Sequence, residues 1–543
     1  YDAFDNGQLR NRWEGRFGKT LMPDEPAFGV TWFDAISYCR WLTRQLGSLA
    51  EGSRQISTGN LGYQIPIRGS DELAQTARTF NQMSLDLQQS YRQINDALEE
   101  ARRTGRELAL SEAKMRAVRD GVVDGVIAEK FRHLAGLPLW RIDAGDVGNV
   151  PQILKTQFVL AATDGDDNPV DATGIQPPGV LDDLFTYGGD LGATFDGKAP
   201  TIRVWAPTAR NVRLHLFADA NEANPAIDVV QMTEDPATGT WSAAGDASWD
   251  RLYYLYEVEV YARYTGQVET FLVTDPYSLN LSQDSRRTQI VNLDDRDLKP
   301  RHWDKLRKTR RIKAPEDIAI YELHVRDFSM HDETVPEFMR GTFKAFALPW
   351  SQGMRHLRGL SRAGLSHVHL LPAFDCATIS EDRSTHATPG DLSNFAPNGT
   401  EQQAAIDAIR DDDGFNWCYD PYHYTAPEGS YATSADGTDR VLEFRQMVAG
   451  LNRAGLRVVL DVVFNHTAEG GADGPVINFK GIGNEIFYHL DPDDRRVYKD
   501  FTGCGNTVNC NHPLVAKFIL ECLEYWVREM HVDGFRFDLA SVL

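Results

Sequence analysis

The sequence predicts an α/β region preceded by an all-β domain and, nearer the N-terminus, by helices of the coiled-coil type. Between residues 202 and 261, apolar and polar residues alternate with a period of two, which is typical of strands in an antiparallel β-sandwich. Beyond Pro315, short apolar strands alternate with helical stretches, the pattern of βαβ units. Apolar residues from Leu73 to Leu98 recur at alternating steps of four and three, which indicates a coiled-coil seam.

Composition and charge narrow the classes of protein and partner. The 543 residues are 42% hydrophobic and 25% charged, which is ordinary for a globular chain of roughly three to four domains. The formal net charge of −22 argues against a nucleic-acid partner. Apolar runs such as residues 458–464 are much shorter than the ~20 residues that span a bilayer. Six cysteines are too few for a disulfide scaffold.

The start of the sequence predicts no signal peptide, and both ends predict a fragment. The sequence begins at Tyr1 without the basic and apolar stretches of a signal peptide, and it stops at Leu543 within a strand-end motif. We therefore expect a fragment at both ends. The cellular compartment stays undetermined from the sequence.

The first 47 residues are rich in tryptophan, phenylalanine and glycine. A short strand leads to Thr31, which is suited to cap a helix, and apolar side chains then recur at helical spacing. The segment Phe28–Leu42 resembles a stretch of formylglycine-generating-enzyme-like domains. The resemblance implies that residues 1–47 are a fragment of such a domain. Cys39 falls on the apolar face of the predicted helix, which favours a buried core cysteine.

Residues 48–110 are helical in character. A glycine-containing connector separates two helical stretches, and the second carries the apolar seam from Leu73 to Leu98. This helix–connector–helix pattern resembles a HAMP domain, the relay of bacterial receptors. The regular seam favours a parallel coiled coil, and a single amphipathic helix lying on its own domain is the alternative. The resemblance allows a homodimer through these helices and, if the segment is native, implies a membrane location. Residues 111–127 resemble the onset of a PAS sensor domain, with its first strand at 123–127.

The all-β and α/β regions are predicted element by element from periodicity. Strands of the sandwich are expected at Ile202–Ala209, Val212–Phe217 and Tyr254–Tyr261. Strands of the α/β region are expected at Ile318–Val325, His367–Leu371, Arg457–Phe464 and Val532–Phe537. Helices are expected at Met354–Ala363, Asp439–Arg453 and Leu514–Glu529.

Two strand ends in the α/β region carry charged residues. Residues two apart on a strand face the same way, so Asp461 shares a face with Asn465, and Arg536 with Asp538. A charge that points into a parallel barrel is costly unless it is paired. Arg536 would keep Asp538 ionised, and an ionised carboxylate at the C-terminal end of a strand suits a nucleophile. A purely structural ion pair is the alternative.

These strand ends resemble two signature regions of glycoside hydrolase family 13, the α-amylase family. Further segments are similar to its pullulanase branch, namely Pro178–Leu184, Tyr321–Ser329, Phe415–Tyr424, Pro427–Tyr431, Thr502–Asn506 and Asn511–Pro513. The resemblance implies a pullulanase N-terminal region over 128–190 and a sandwich like carbohydrate-binding module family 48 over 191–312. Over 313–543 it implies the N-terminal half of a (β/α)8 barrel, which is incomplete within this chain.

The resemblance also implies catalytic roles. Asp538 is the nucleophile that forms a glucosyl-enzyme, Arg536 orients it, and Asp461 supports Arg536. Retaining glycosidases need a second carboxylate about 5–5.5 Å from the nucleophile as acid/base. In this family it follows on the next barrel strand, after the end of this sequence, so we expect residues 1–543 alone to be inactive. Glu428 and Glu485 are the loop carboxylates that could stand in for it.

Substrate-binding roles follow from the same resemblance. His466 hydrogen-bonds the sugar at subsite −1, and Tyr419 stacks on that sugar, with Asp420 nearby. An aromatic platform suits a sugar ring because the ring presents apolar C–H faces. Cys418 departs from the family pattern, which usually has glycine before the Tyr-Asp-Pro segment.

No cofactor is required by this chemistry, and no metal ligand is assigned. A calcium ion at Asn465 stays open as an alternative, because that position binds calcium in many α-amylases. Cys504 and Cys510 could pair, although two separate thiols are the favoured interpretation.

We hypothesise a pullulanase-type debranching enzyme that hydrolyses α-1,6 links in branched α-glucans (pullulan, starch or glycogen limit dextrin) with retention. One alternative is a signal-transduction receptor fragment with a HAMP domain. The other is a composite chain of truncated domains with no single function, because neither join, near 47 or near 127, has a Pro/Gly/Ser linker.

Overall fold

The structure, a computed structural model, describes Asn81, Leu85 and residues 117–542 apart from 131, 165, 167, 175, 176, 307, 310, 311, 492 and 493. The interpretations of residues 1–47 and, apart from those two single residues, 48–110 lie outside this part of the chain. Residues 117–543 form one compact unit, in agreement with the continuous resemblance to one family beyond residue 128. Among the described helices, none has the length and apolar character needed to cross a membrane.

The unit begins with short strands in antiparallel pairs. These elements are β1 Ala117–Val122, α1 Gly125–Lys130, β2 Pro138–Ile142, α2 Val150–Ile153, β3 Val159–Thr163, β4 Pro169–Gly174 and α3 Pro178–Leu184. Strand β1 pairs with β2, and β3 pairs with β4. The strand predicted at 123–127 is wrong. Gly125 has a φ of +53°, which breaks the extended backbone, and α1 follows, with the Ala128 amide donating to the Asp124 carbonyl.

The sandwich follows as two antiparallel sheets. Its strands are β5 Gly192–Asp196, β6 Ala199–Trp205, β7 Ala209–Phe217, β8 Asp228–Gln231, β9 Thr233–Asp235, β10 Thr240–Ala244, β11 Tyr253–Ala262, β12 Gln267–Val273 and β13 Thr288–Gln289. One sheet has the order β5–β6–β10–β9, and the other has the order β12–β11–β7–β8 with β13 beside β11. The three strands expected from periodicity correspond to β6, β7 and β11.

Period-two alternation explains why the two sheets face each other. Every second residue of β11 is buried, and Ile202, Leu214, Trp241 and Tyr256 from four different strands share one apolar core. Burying these alternate side chains removes apolar surface from water on both inner faces, which is the main stabilisation of a sandwich.

The α/β region is built on a four-stranded parallel sheet. Its elements are β14 Ile320–Leu323, α4 Gln352–Ala363, β15 His367–Leu370, β16 Phe374–Cys376, α5 Glu401–Asp407, β17 Pro421–Pro427, α6 Asp439–Arg453, β18 Arg457–Val462, α7 Phe479–Phe487, α8 Pro513–Arg528 and β19 Gly534–Phe537. The order β14–β15–β18–β19 follows the chain, so the C-terminal ends of all four strands lie at one edge. The predicted strands and helices of this region are confirmed to within a few residues.

Local signals set the bounds of the helix between β14 and β15. Helix α4 begins after Ser351, whose hydroxyl accepts a hydrogen bond from the Met354 amide at 3.2 Å. It ends at Gly364, which has a φ of +119°, a conformation that glycine adopts without steric cost. The resulting crossover connects two parallel strands, as in other βαβ units.

The sandwich and the α/β region pack directly against each other. The Thr274 amide donates to the Ile477 carbonyl at 3.1 Å, and the Tyr277 hydroxyl donates to Glu521 on α8 at 2.8 Å. Trp205 of the sandwich belongs to the same buried apolar cluster as Trp526 of α8. The two regions therefore share a core and form a single folded unit.

A buried polar network around Arg440 connects the sandwich to α6. Arg440 is fully buried, and its guanidinium lies 2.8 Å from Glu381 and 3.3 Å from Asp375. It also donates to the carbonyls of Ala435 at 2.9 Å and Ser282 at 3.2 Å. The cation compensates buried carboxylates that would otherwise be costly.

We expect Arg440→Ala to lower the free energy of unfolding by about 3–5 kcal/mol, because removing one partner leaves buried carboxylates uncompensated. Urea denaturation followed by tryptophan fluorescence measures the change. Arg453→Ala is the matched control, since Arg453 is exposed at the end of the same helix, and we expect it to change stability by less than about 0.5 kcal/mol. Equal losses in the two variants would contradict the role of the network.

Glu428 gives this network a pH dependence. Burial, and next the charge of Asp375, raise the pKa of Glu428 from 4.5 to about 7. The folded state therefore binds this proton more tightly than the unfolded chain, and the contribution to stability is lost as the pH rises from about 4.5 through about 7. We expect Glu428→Gln to remove this part of the slope of unfolding free energy against pH. An unchanged slope between pH 5 and pH 8 would show that Glu428 titrates normally.

Candidate active site

Asp461, Arg536 and Asp538 form one ion-pair system at the C-terminal edge of the parallel sheet. Arg536 Nη1 lies 3.0 Å from Asp461 Oδ1 and 2.9 Å from Asp538 Oδ1. Asp461 is directly beside Arg536 in the register of β18 and β19. The predicted contact of Arg536 with a carboxylate is therefore present, on adjacent parallel strands.

The two carboxylates of this system differ in exposure. The Asp461 side chain is fully buried, the Asp538 side chain is 18% exposed, and the Arg536 side chain is 46% exposed. Asp538 is thus the carboxylate that an external molecule can reach. Asp461 fixes the position of the guanidinium, which in turn donates a hydrogen bond to Asp538 Oδ1.

Asn465 and His466 continue the site beyond the end of β18. Asn465 Nδ2 donates to Asp538 Oδ2 at 3.1 Å, so both oxygens of Asp538 have a hydrogen-bond donor. The side-chain oxygen Oδ1 of Asn465 accepts a hydrogen bond from His466 Nδ1. Burial lowers the pKa of His466, which favours the neutral ring. A hydrogen bond between the His466 ring and the Tyr419 backbone partly opposes the effect of burial on this pKa.

Tyr419 comes from the loop before β17 and contacts the same system. Its hydroxyl donates to Asp461 Oδ2 at 2.8 Å. Burial, and next the hydrogen bond to Asp461, raise the pKa of Tyr419 well above its ordinary value, so the hydroxyl stays protonated. The hydrogen bond fixes the ring beside the Arg536 ion pair.

Asp420 makes different contacts from Tyr419. Its carboxylate accepts a hydrogen bond from the Thr378 amide at 2.6 Å, and its carbonyl accepts one from the Ala377 amide. Burial raises the pKa of Asp420. In this structure Asp420 holds the loop before β17 against the end of β16.

Sequence reasoning missed His369, which contacts this system, and His324, which contacts the loop before Tyr419. His369 of β15 has Nε2 at 3.3 Å from Asp461 Oδ2 and Nδ1 at 3.2 Å from Glu322. His324 has Nε2 at 2.7 Å from the Asn416 carbonyl and at 3.1 Å from the Tyr431 hydroxyl. A polar residue inside the apolar strand 367–370 was the signal that could have identified His369.

Sequence reasoning also missed a disulfide bond between Cys376 and Cys418. Both residues are buried, with exposures of 5% and 0%. Cys504 and Cys510 are separate thiols, as favoured from the sequence. The signal for the bond was the cysteine at position 418, where the resemblance led us to expect glycine.

The two stand-in carboxylates are engaged elsewhere. Glu428 is fully buried and accepts hydrogen bonds from the amides of Cys376 and Ser430. Glu485 pairs with Arg263 of the sandwich. Neither arrangement offers a proton to a molecule bound at Asp538.

A carboxylate cluster and the Asn465 side chain offer oxygen atoms that a cation could use. Asp375, Glu381 and Glu428 have carboxylate oxygens within 4.8 Å of one another. Arg440 already supplies a positive charge to the first two of these carboxylates. The amide of Asn465 is used by Asp538 and His466. Neither group therefore resembles a prepared calcium site.

Comparison with families of known proteins matches three parts of the chain. Residues 40–89 match the HAMP domain, residues 81–183 match the Pullulanase N2 domain, and residues 190–278 match carbohydrate-binding module 48, the isoamylase N-terminal domain. The N2 match includes residues 111–127, for which the sequence suggested a PAS onset. The resemblance of residues 1–47 to a formylglycine-generating-enzyme-like domain stays a prediction.

Individual relatives are pullulanases and isoamylases. The chain is 39% identical to chloroplastic pullulanase 1 of Arabidopsis thaliana over 78% of its own length and 43% of that protein. It is 32% identical to the pullulanase of Klebsiella pneumoniae over 76% of its length and 41% of that protein. The chain therefore spans less than half the length of these curated relatives.

Solved structures agree with the sequence comparison. The Klebsiella pneumoniae pullulanase complexed with maltotriose superimposes with a TM-score of 0.72 at 32% identity, covering 79% of this chain and 44% of that one. The Paenibacillus barengoltzii pullulanase covers 67% of this chain and 50% of that one, with a TM-score of 0.54 at 31% identity. In both sequence and fold, most of this chain is similar to part of a pullulanase.

The hydrogen bond between Tyr419 and Asp461 leads to a stability prediction. We expect Tyr419→Phe to lower the free energy of unfolding by about 1.5 kcal/mol, because a buried carboxylate loses a donor. Tyr321→Phe is the control, since Tyr321 is 41% exposed on β14. Urea denaturation of both variants measures the difference, and a Tyr419→Phe variant as stable as the control would contradict the assignment.

Proposed function

We propose that the protein hydrolyses α-1,6-glucosidic bonds in branched α-glucans with retention, as a pullulanase-type glycoside hydrolase of family 13. The observation that carries the proposal is the Asp538 carboxylate, which accepts hydrogen bonds from Arg536 and Asn465 and is partly exposed at the C-terminal edge of the sheet. The similarity to pullulanases over most of the chain supports the same reaction class.

Asp538 acts as the nucleophile in this proposal. One of its oxygens bonds to the anomeric carbon while the bond from that carbon to O6 of the neighbouring glucose breaks, giving a covalent glucosyl-enzyme. The departing oxygen takes a proton from an acid/base carboxylate, which then removes a proton from the water that releases the sugar. The resemblance to family 13 assigns that acid/base to a strand beyond β19. Asp461 is buried against Arg536, and Glu428 and Glu485 have other partners.

His466 and Tyr419 bind the sugar at subsite −1. The His466 imidazole forms a hydrogen bond with a sugar hydroxyl, while its Nδ1 is held by Asn465. The Tyr419 ring stacks on the apolar face of the sugar, while its hydroxyl is fixed by Asp461. Asp420 contributes by holding the Tyr419 loop in place.

We further propose the domain organisation. Residues 313–543 are the N-terminal half of a (β/α)8 barrel, whose order β14–β15–β18–β19 follows the chain as in such barrels. Residues 191–312 are the family-48-like carbohydrate-binding module, and residues 128–190 are a pullulanase N-terminal region. The bound glucan is pullulan, starch or a limit dextrin of glycogen.

A second role is proposed for residues 48–110 because residues 40–89 match the HAMP domain. Two copies of the chain would pair through the seam from Leu73 to Leu98, as in a parallel coiled coil. Sedimentation of the wild type and of Leu87→Lys tests this role. A monomeric wild type, or an unchanged dimer in the variant, would contradict it.

We expect residues 1–543 to bind maltotriose and His466→Ala to weaken that binding roughly tenfold, because one hydrogen bond to the sugar is lost. Isothermal titration calorimetry measures both affinities. His331→Ala is the matched control, since His331 is exposed in a turn. Equal affinities of the two variants would contradict the role of His466.

Measurement of pullulan hydrolysis tests the placement of the acid/base. Reducing-sugar release from pullulan by residues 1–543 should be at least about 100-fold below that of a protein extended through the following barrel strands, because general acid catalysis is worth 10²–10⁴-fold. In the extended protein, Asp538→Asn should abolish release. Comparable turnover with and without the extension would overturn the placement of the acid/base.

A further inference from the structure

The Cys376–Cys418 disulfide joins the end of a strand to the loop that carries Tyr419. Cys376 is the last residue of β16, and Cys418 directly precedes Tyr419. Their Cα atoms are 5.2 Å apart, within the usual range for a disulfide. One half of the disulfide is therefore the sequence neighbour of Tyr419, whose hydroxyl donates to Asp461.

The disulfide closes a long excursion of the chain. The two cysteines are 42 positions apart, and the residues between them include α5 and many exposed side chains. Hydrogen bonds at the base of the excursion, from Ala377 and Thr378 to Asp420, act at the same place. A covalent bond at the base removes the freedom that so long a loop would otherwise transmit to Tyr419.

The backbone of Cys418 has a conformation that is unfavourable for a residue with a side chain. Its φ is +58°, in the left-handed region where glycine fits without cost and other residues are strained. Its side chain is fully buried and points to Cys376, with its sulfur also 3.7 Å from the Tyr431 hydroxyl. The disulfide bond compensates for the conformational cost of placing a residue with a side chain at this position.

We propose that the Cys376–Cys418 disulfide is a positioning element for Tyr419, holding the ring in place for an α-glucan chain at the site of Asp538. This inference rests on the proposed function, because it assigns the sugar stacking to Tyr419. Both cysteines are buried, so reagents in solution reach the bond poorly and it acts as a permanent constraint.

A double-mutant cycle tests the proposal in the full chain. Cys376→Ala is expected to weaken maltotriose binding roughly three- to tenfold by calorimetry, because Tyr419 must then be ordered on binding. In the Tyr419→Ala background, Cys376→Ala should have no further effect on affinity. A purely structural crosslink would lower affinity equally in both backgrounds, which would overturn the proposal.

Variants at position 418 separate the crosslink from the backbone strain. Cys418→Ala loses the bond and keeps a side chain at φ +58°, whereas Cys418→Gly loses the bond and relieves the strain. We expect both to bind maltotriose more weakly than the wild type. Wild-type affinity in Cys418→Gly would overturn the proposal. Cys522→Ala, which removes a buried free thiol of α8, is the control and should keep wild-type affinity.

Two further measurements keep the inference distinct from the proposed function. Thiol titration of the unfolded protein should find two more thiols after reduction than before, and equal counts would overturn the proposal. Limited proteolysis should cut between residues 377 and 417 faster in Cys376→Ala than in the wild type. If the wild type does not bind maltotriose, the proposed function fails. Equal proteolysis of the two proteins then overturns the role of the disulfide independently.

Discussion

A buried charge, the Asp461 carboxylate, sets the arrangement of the strand ends. Moving an ion from water into a protein interior costs several kcal/mol unless partners compensate it. Asp461 meets this requirement with the Arg536 guanidinium and the Tyr419 hydroxyl, which come from β19 and from the loop before β17. Three separate stretches of chain must therefore meet at one point. The same guanidinium then contacts Asp538, so the requirement of the buried group positions the exposed one.

The packing of the sandwich and the Arg440 network hold in place the loop that carries Tyr419. The sandwich packs against α7 and α8, and Arg440 joins the carboxylates of Asp375 and Glu381 beneath the loops. A network of this kind contributes little net stability compared with a well-packed apolar core, but it penalises alternative arrangements strongly. It therefore specifies where β16 and β17 lie. That placement fixes the base of the loop that carries Tyr419.

Periodicity in the sequence predicted the parts of the fold that local patterns determine. The parity of residues 457–464 placed Asp461 and Asn465 on one face, and the parallel strands brought them to Asp538. Long-range pairs were missed, because nothing local links Cys376 to Cys418 or His369 to Asp461. The strand expected at 123–127 is wrong for a local reason, since the glycine at 125 takes a left-handed conformation that period-two alternation does not reveal.

Asp461 and Asp538 illustrate how environment assigns different tasks to the same side chain. Both contact Arg536 Nη1, at 3.0 and 2.9 Å, so the charge of the guanidinium does not distinguish them. Exposure does, because Asp461 is sealed by Tyr419 and the strands, whereas Asp538 faces solvent beside His466. A nucleophile must reach its substrate, yet it must also keep a fixed direction of attack. Donors on both oxygens of Asp538 provide the fixed direction without covering the carboxylate.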